Sequence, residues 1–219
     1  RDMKNPLPSW NDTPTRKAIL DFVAEVTDTA GPQYVSPDKR IAVFDNDGTL
    51  WCEKPMYIQL DFLLRKLAEQ AEGDPALRDQ QPWQAAWEKD FGWLGNVITK
   101  HYQGDDRDLH VLFKGILSLS EGQPVEQVEA AARDFIESHR HPTLDLSYWD
   151  CVYQPMLELL RYLEANGFTN YIVSGGGRDF MRGFAKELYG IPRERVIGST
   201  VAYRFVEGDG GGQIVQQAE

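Results

Sequence analysis

Residues 41–44 read Ile-Ala-Val-Phe, and the run stops abruptly at two carboxylates, Asp45 and Asp47, that flank Asn46 and precede a Gly48-Thr49-Leu50 turn. Four consecutive apolar residues covered on both faces are the pattern of a strand inside a parallel sheet. In open α/β sheets, ligands bind beyond the carboxyl ends of such strands. The expected protein is therefore α/β, with reactive acids at the end of a buried strand.

The spacing carries the chemistry. In an extended segment alternate residues share a side, so Asp45 and Asp47 can face one ligand while Asn46 turns away. Two carboxylates that close repel unless a cation lies between them, and Mg²⁺ with its preference for oxygen ligands answers that need. The competing readings are a solvated Asp-rich turn and a calcium loop. An EF-hand loop needs Gly at its sixth position and a closing Glu. Here Gly48 is fourth and no Glu closes the loop, which disfavours calcium.

A second strand-and-turn unit follows far along the chain. Met156, Leu157, Leu160 and Leu163 form a helical stripe that Asn166-Gly167 ends, and Tyr171-Ile172-Val173 reads as a short apolar strand. Ser174-Gly175-Gly176-Gly177 then opens a helix expected from about Asp179 to Tyr189, broken by Ile191-Pro192, before a strand at 196–198. A helix N-terminus offers free N–H groups to a phosphate oxygen, and glycines allow close approach; the alternative is a plain N-cap serine. A dinucleotide fingerprint fails because Phe180 stands where Gly or Ala is required. A nucleophile elbow fails because Ile172 replaces its first Gly.

The segment Asp45-Asn46-Asp47-Gly48-Thr49-Leu50, after an apolar strand, resembles the first motif of the haloacid dehalogenase-like hydrolase superfamily, and Ser174 after its strand resembles the second. Superfamily members that cleave carbon–halogen bonds, the phosphonatases and the P-type ATPases lack an acid at the position of Asp47, whereas phosphatases and phosphomutases keep it. The resemblance thus implies phosphoryl transfer. It implies that Asp45 and Asp47 are catalytic and hold Mg²⁺, and that Asn46, Ser174 and Gly175 contact the phosphoryl group. Its phosphoserine-phosphatase-like branch further implies a helical cap and a substrate-contacting Glu near Glu53. Trp51, Glu53 and Tyr57 are the expected substrate contacts.

Alternating helix and apolar strand predicts a Rossmann-like parallel-sheet core, three-layer α/β/α. About 125 residues separate Asp47 from Ser174, far more than one crossover of roughly thirty requires, so an inserted domain is expected. The core is assigned to 1–55 and 147–219, and a helical cap to 56–146. Within the insert, Leu109, Leu112, Phe113 and Ile116 make one stripe, and Val125, Val128, Phe135 and Ile136 another. Trp83, Trp87, Phe91 and Trp93 are expected to pack the cap core rather than face substrate. His139 and His141 are expected on a solvated surface. Before the first strand, Ile19, Phe22, Val23 and Val26 mark one face of a helix.

A net charge of −11 with no Lys/Arg cluster disfavours nucleic acid as a partner. No apolar stretch reaches eighteen residues, so no membrane-spanning helix is expected. Two cysteines, Cys52 and Cys151, are too few for a disulfide scaffold and read as reduced thiols. A cytoplasmic location is favoured, with export left open because the sequence begins at Arg1 rather than Met. The sequence does not indicate an oligomeric state.

The superfamily's third-motif Lys and final metal carboxylate have no convincing counterpart. Lys186 lies mid-helix, and Asp209 lies in a Gly-rich stretch that reads as a loop. Both elements are expected beyond Glu219. The expected activity is Mg²⁺-dependent hydrolysis of a small phosphomonoester through an aspartyl-phosphate. The alternatives are a phosphomutase or phosphotransferase of the same superfamily, or a non-catalytic degenerate member.

Overall fold

The computed structural model describes residues 5–219. In chain order it contains α1 (Pro14–Thr27), β1 (Ile41–Phe44), α2 (Ile58–Gly73), α3 (Trp83–Glu88), α4 (Phe91–Tyr102), α5 (Arg107–Ser118) and α6 (Val125–Ser138). These are followed by α7 (Gln154–Ala165), β2 (Thr169–Gly177), α8 (Arg178–Arg182), α9 (Ala185–Tyr189), β3 (Val196–Ser199), β4 (Ala202–Gly208) and β5 (Gly211–Gln217). Two compact units result, Arg1–Pro55 with Arg133–Ser199 and Met56–Ala132 with Thr200–Glu219. Set against the boundaries expected from sequence, 133–146 falls in the first unit and 200–219 in the second.

The first unit is built on a three-stranded parallel sheet in the order β1-β2-β3, the Rossmann-like α/β arrangement expected from the alternating elements. Phe44 pairs with Ile172 and Ile172 with Val196, and all three are buried, a row of apolar side chains across the sheet. Helix α7 packs against β2, and its Leu159, Leu160 and Leu163 are buried. Its end follows from Gly167, whose φ of 78° closes the helix as a left-handed cap.

Three expectations change in this unit. β1 was expected to be covered on both faces, yet Ile41 and Val43 are 57% and 60% exposed, and Val173 and Ile197 beside them are exposed as well. The period-2 alternation sends Phe44 to the covered side and Val43 to the open one. The single helix expected over 179–189 is broken at Gly183-Phe184 into α8 and α9. His141, expected in solvent, is buried: its Nδ1 accepts from the Thr143 and Leu144 N–H groups at 3.1 Å, and its Nε2 lies 2.6 Å from the Lys54 carbonyl. With Nδ1 accepting, Nε2 carries the proton and donates.

The second unit is helical apart from one hairpin. Leu64, Leu67 and Ala86 form its core, with Leu60, Trp83, Leu94 and Ile116 packed against them. Of the aromatic group expected to pack, Trp83 does so and donates its indole N–H to Gln70 at 2.7 Å. Trp87 and Phe91 instead remain exposed, Trp87 beneath the Arg78 guanidinium at 4.2 Å.

The stretch read as a C-terminal loop is the antiparallel pair β4–β5, turned by Asp209-Gly210. Asp-Gly between paired strands is a strong two-residue hairpin signal. Val215 is buried and bridges Pro124, and the Gln216 N–H donates to Gln123 at 2.8 Å, which seats the hairpin on the segment before α6.

Candidate active site

The end of β1 places the acids. The residue before the break, Phe44, is buried, Asp45 beyond it is exposed, Asn46 is only 2% exposed, and Asp47 is half-buried. The alternation thus presents both acids on the open side and turns Asn46 inward. The Asn46 side chain is held there by the fully buried Tyr189, whose hydroxyl donates to Asn46 Oδ1 at 2.8 Å. Burial, with Asp47 nearby, raises Tyr189 well above its ordinary value and keeps it a donor.

A tight turn returns the chain to Asp47. The Asn46 carbonyl accepts from Thr49 and Leu50 at 3.1 and 2.8 Å, and the Gly48 N–H donates to the Trp51 carbonyl at 2.9 Å. Gly48 has φ 72°, the left-handed region that favours glycine. The turn delivers Trp51, whose indole N–H donates to Asp47 Oδ1 at 2.8 Å. Asp45 Oδ1 in turn accepts from the Asn46 N–H at 2.8 Å.

Several neighbours act on the Asp47 carboxyl. Burial raises its pKa most; the Trp51 hydrogen bond lowers it; Asp45 and then Glu53 raise it again. A carboxyl kept protonated to higher pH beside one that is exposed is an arrangement suited to an acid paired with a nucleophile.

Ser174 and Gly175 sit one strand over. Because β1 and β2 run parallel with Phe44 opposite Ile172, Ser174 follows β2's apolar run at the same end of the sheet at which Asp45 follows Phe44. They do not start a helix, as expected from sequence. β2 continues through Gly177 with an irregularity after Val173, and α8 begins only at Arg178. Three consecutive glycines follow an extended course without steric cost. Ser174 Oγ accepts from the Gly176 N–H at 3.1 Å, and the Gly175 carbonyl accepts from the Ser199 hydroxyl at 2.8 Å.

The expected substrate contacts separate. Trp51 is 0% exposed and packs tilted against Phe184 with ring centroids 4.7 Å apart, its indole N–H on Asp47. Glu53 is partly exposed beside Gly48. Tyr57 belongs to the second unit, where it is exposed ahead of α2. Lys186 lies within α9, and Asp209 at the hairpin tip in the second unit.

Among the described residues no three His, Cys, Asp or Glu side chains are grouped to hold a metal ion. Two neighbouring carboxylates nevertheless fit Mg²⁺, which keeps several waters and is commonly bound through one or two carboxylates plus substrate phosphate. The like charge that Asp45 and Glu53 impose on Asp47 is the electrostatic setting a cation relieves. No helix among the described residues is long and apolar enough to cross a membrane.

Among solved structures, the chain is similar to a conserved functionally unknown protein from Anaerococcus prevotii DSM 20548, with 17% identity and a TM-score of 0.49, over 93% of this chain and 70% of that one. A phosphoserine phosphohydrolase-like protein from Francisella tularensis subsp. tularensis SCHU S4 matches with 19% identity and a TM-score of 0.37, over 78% of this chain and 62% of that one. A protein with unknown function from Bordetella pertussis Tohama I matches with 18% identity and a TM-score of 0.47, over 78% and 63% respectively. The chain thus spans less than two thirds of the latter two. No curated protein matches it. The sequence profile of the haloacid dehalogenase-like hydrolases, by contrast, matches residues 42–216, from the first strand through the C-terminal hairpin, and the chain belongs to that family.

Proposed function

We propose that the protein is a phosphatase acting on a small phosphomonoester. The observation that carries this reading is the division of labour at the end of β1: Asp45 exposed, Asp47 half-buried with a raised pKa, and Asn46 turned into the core between them. Asp45 attacks phosphorus and forms an aspartyl-phosphate, exchanging one difficult displacement for two easier ones. Asp47 gives its proton to the departing oxygen, then takes a proton from the water that hydrolyses the intermediate. Backbone N–H groups along Ser174-Gly175 orient the phosphoryl oxygens, while the Asn46 N–H holds Asp45 Oδ1. Asp45 and Asp47 would hold Mg²⁺, which supplies charge neutralisation at those oxygens when bound.

The test is hydrolysis of an aryl phosphate in the presence of Mg²⁺, with the Asp45→Asn variant beside the unmodified protein. Because an amide cannot serve as the nucleophile, the variant should lose turnover by several orders of magnitude while remaining folded. Undiminished turnover in Asp45→Asn would sink the assignment.

A further inference from the structure

The acid Asp47 does not stand alone: two adjacent residues of its loop are gripped by one buried aromatic cluster. Trp51 donates to Asp47 Oδ1, and Tyr189 donates to Asn46 Oδ1, each at 2.8 Å. Trp51, Phe184 and Tyr189 are each 0% exposed, and Phe180 is buried with them. The rings form a continuous set, Trp51 against Phe184 at 4.7 Å, Phe180 against Phe184 at 5.3 Å edge-on, and Phe184 against Tyr189 at 6.3 Å edge-on. Trp51 also returns to Asp47 through its backbone, as a bridge partner.

An indole N–H can only donate, and a buried one needs an acceptor. Its acceptor here is a carboxylate oxygen. That bond restrains the rotation of the Asp47 carboxyl by engaging one acceptor site of Oδ1, and it sets where Oδ2 lies for proton transfer. Edge-on and tilted rings packed without exposure leave the indole little room to move.

We propose that Trp51 is a positioning residue for proton transfer by Asp47, held by Phe180 and Phe184, while Tyr189 fixes the neighbouring Asn46. The proposal rests on the reading of Asp47 as acid and base. Displacing a reacting group by about 1 Å can cost on the order of a hundredfold in rate, so releasing the carboxylate should hurt most where proton donation matters most. An alkyl phosphate, with its poor leaving group, depends on that donation; an aryl phosphate depends on it far less.

The experiment compares kcat/KM for an alkyl and an aryl phosphate in the unmodified protein, Trp51→Phe, Tyr189→Phe and Asp47→Asn, with thermal unfolding of each. Trp51→Phe keeps a ring against Phe184 and removes only the donor and some volume. It should lower the alkyl value by about tenfold to a hundredfold and leave the aryl value within about threefold, following the larger alkyl-selective loss in Asp47→Asn. Tyr189→Phe should shift the alkyl-to-aryl ratio in the same direction by less. If Asp47→Asn is alkyl-selective while Trp51→Phe lowers both substrates equally, Trp51 is only structural and the inference is wrong. If Asp47→Asn itself lowers both equally, the acid/base reading fails and takes the inference with it. Should Trp51→Phe not fold, Tyr189→Phe decides: a fall in the ratio supports the clamp, and an unchanged ratio overturns it.

Discussion

Glu53 folds its carboxylate over Gly48, so closely that a Cβ at residue 48 would lie 2.7 Å from Glu53 Cδ. The left-handed φ of 72° is what requires the glycine, because the Glu53 carboxylate is the end of a flexible, partly exposed side chain that can swing aside. Gly48→Ala should lower stability by about 1–2 kcal/mol from the backbone conformation alone and displace Glu53 as well. Urea unfolding with parallel turnover assays measures both effects. A stable and fully active alanine variant would show that the turn tolerates a side chain.

Asp47 gives a stability prediction with a definite sign. Burial, with Asp45 and Glu53, outweighs the Trp51 hydrogen bond and raises its pKa. The folded protein therefore favours the protonated form. That contribution is complete below the ordinary Asp value and is lost as pH rises through the raised one. At neutral pH without divalent metal, ionised Asp47 opposes folding. Asp47→Asn, whose amide oxygen still accepts from Trp51, should have the higher Tm at pH 7, and the difference should shrink as pH falls below the ordinary carboxylate range. An opposite trend across that range rejects the electrostatic account.

His141 is expected to matter for folding without touching the chemistry. It satisfies the Thr143 and Leu144 N–H groups and the Lys54 carbonyl at once. His141→Ala removes these hydrogen bonds, whose partners lie on the exposed residues Lys54, Thr143 and Leu144, and a typical bond of this kind contributes about 0.5–1.5 kcal/mol net. Denaturant midpoints should fall accordingly. A loss below a few tenths of a kcal/mol means that water replaces the ring.

The two thiols should resist labelling. Cys52 and Cys151 are buried, and the Cys52 N–H donates to the Cys151 carbonyl at 3.2 Å. Burial, then the neighbouring Cys52 thiol, pushes Cys151 up to about 12, and burial raises Cys52 too. Only the thiolate is nucleophilic. Iodoacetamide at pH 7 should leave both unmodified in the folded protein and label both after denaturation, as read by mass. Rapid labelling of either in the folded state contradicts this.

The reactive end of β1 was legible because two local rules coincide there. An apolar run announces a strand, and its period of two puts Asp45 and Asp47 on one side with Asn46 on the other. The burial of Trp51 was not legible, because its neighbourhood depends on Phe180 and Phe184, which only the fold brings near. Ser174 was placed at the right strand end but in the wrong element, since a Gly-Gly-Gly run is as compatible with an extended course as with a helix start. The hairpin was missed although Asp209-Gly210 signalled it, because glycines at 208 and 210–212 dilute the strand pattern on both sides of the turn. The exposed face carrying Ile41 and Val43 was hidden for the opposite reason: apolar identity alone does not say which side a helix will cover.

The path of the chain through the hairpin has a practical outcome for anyone dissecting this protein. Glu121 accepts from the N–H of Ala218, 97 positions away in sequence, and the chain visits the first unit, the second, the first and the second again. The helical insert is therefore not a cassette that one deletion can lift out. Excising 56–132 would leave β4–β5 tethered to the sheet unit with Val215 and its backbone partners stripped of cover, while expressing 56–132 alone would leave the segment before α6 without its strand. A faithful isolated version of the second unit needs residues 200–219 joined back to it, by a circular permutation or as a peptide added in trans.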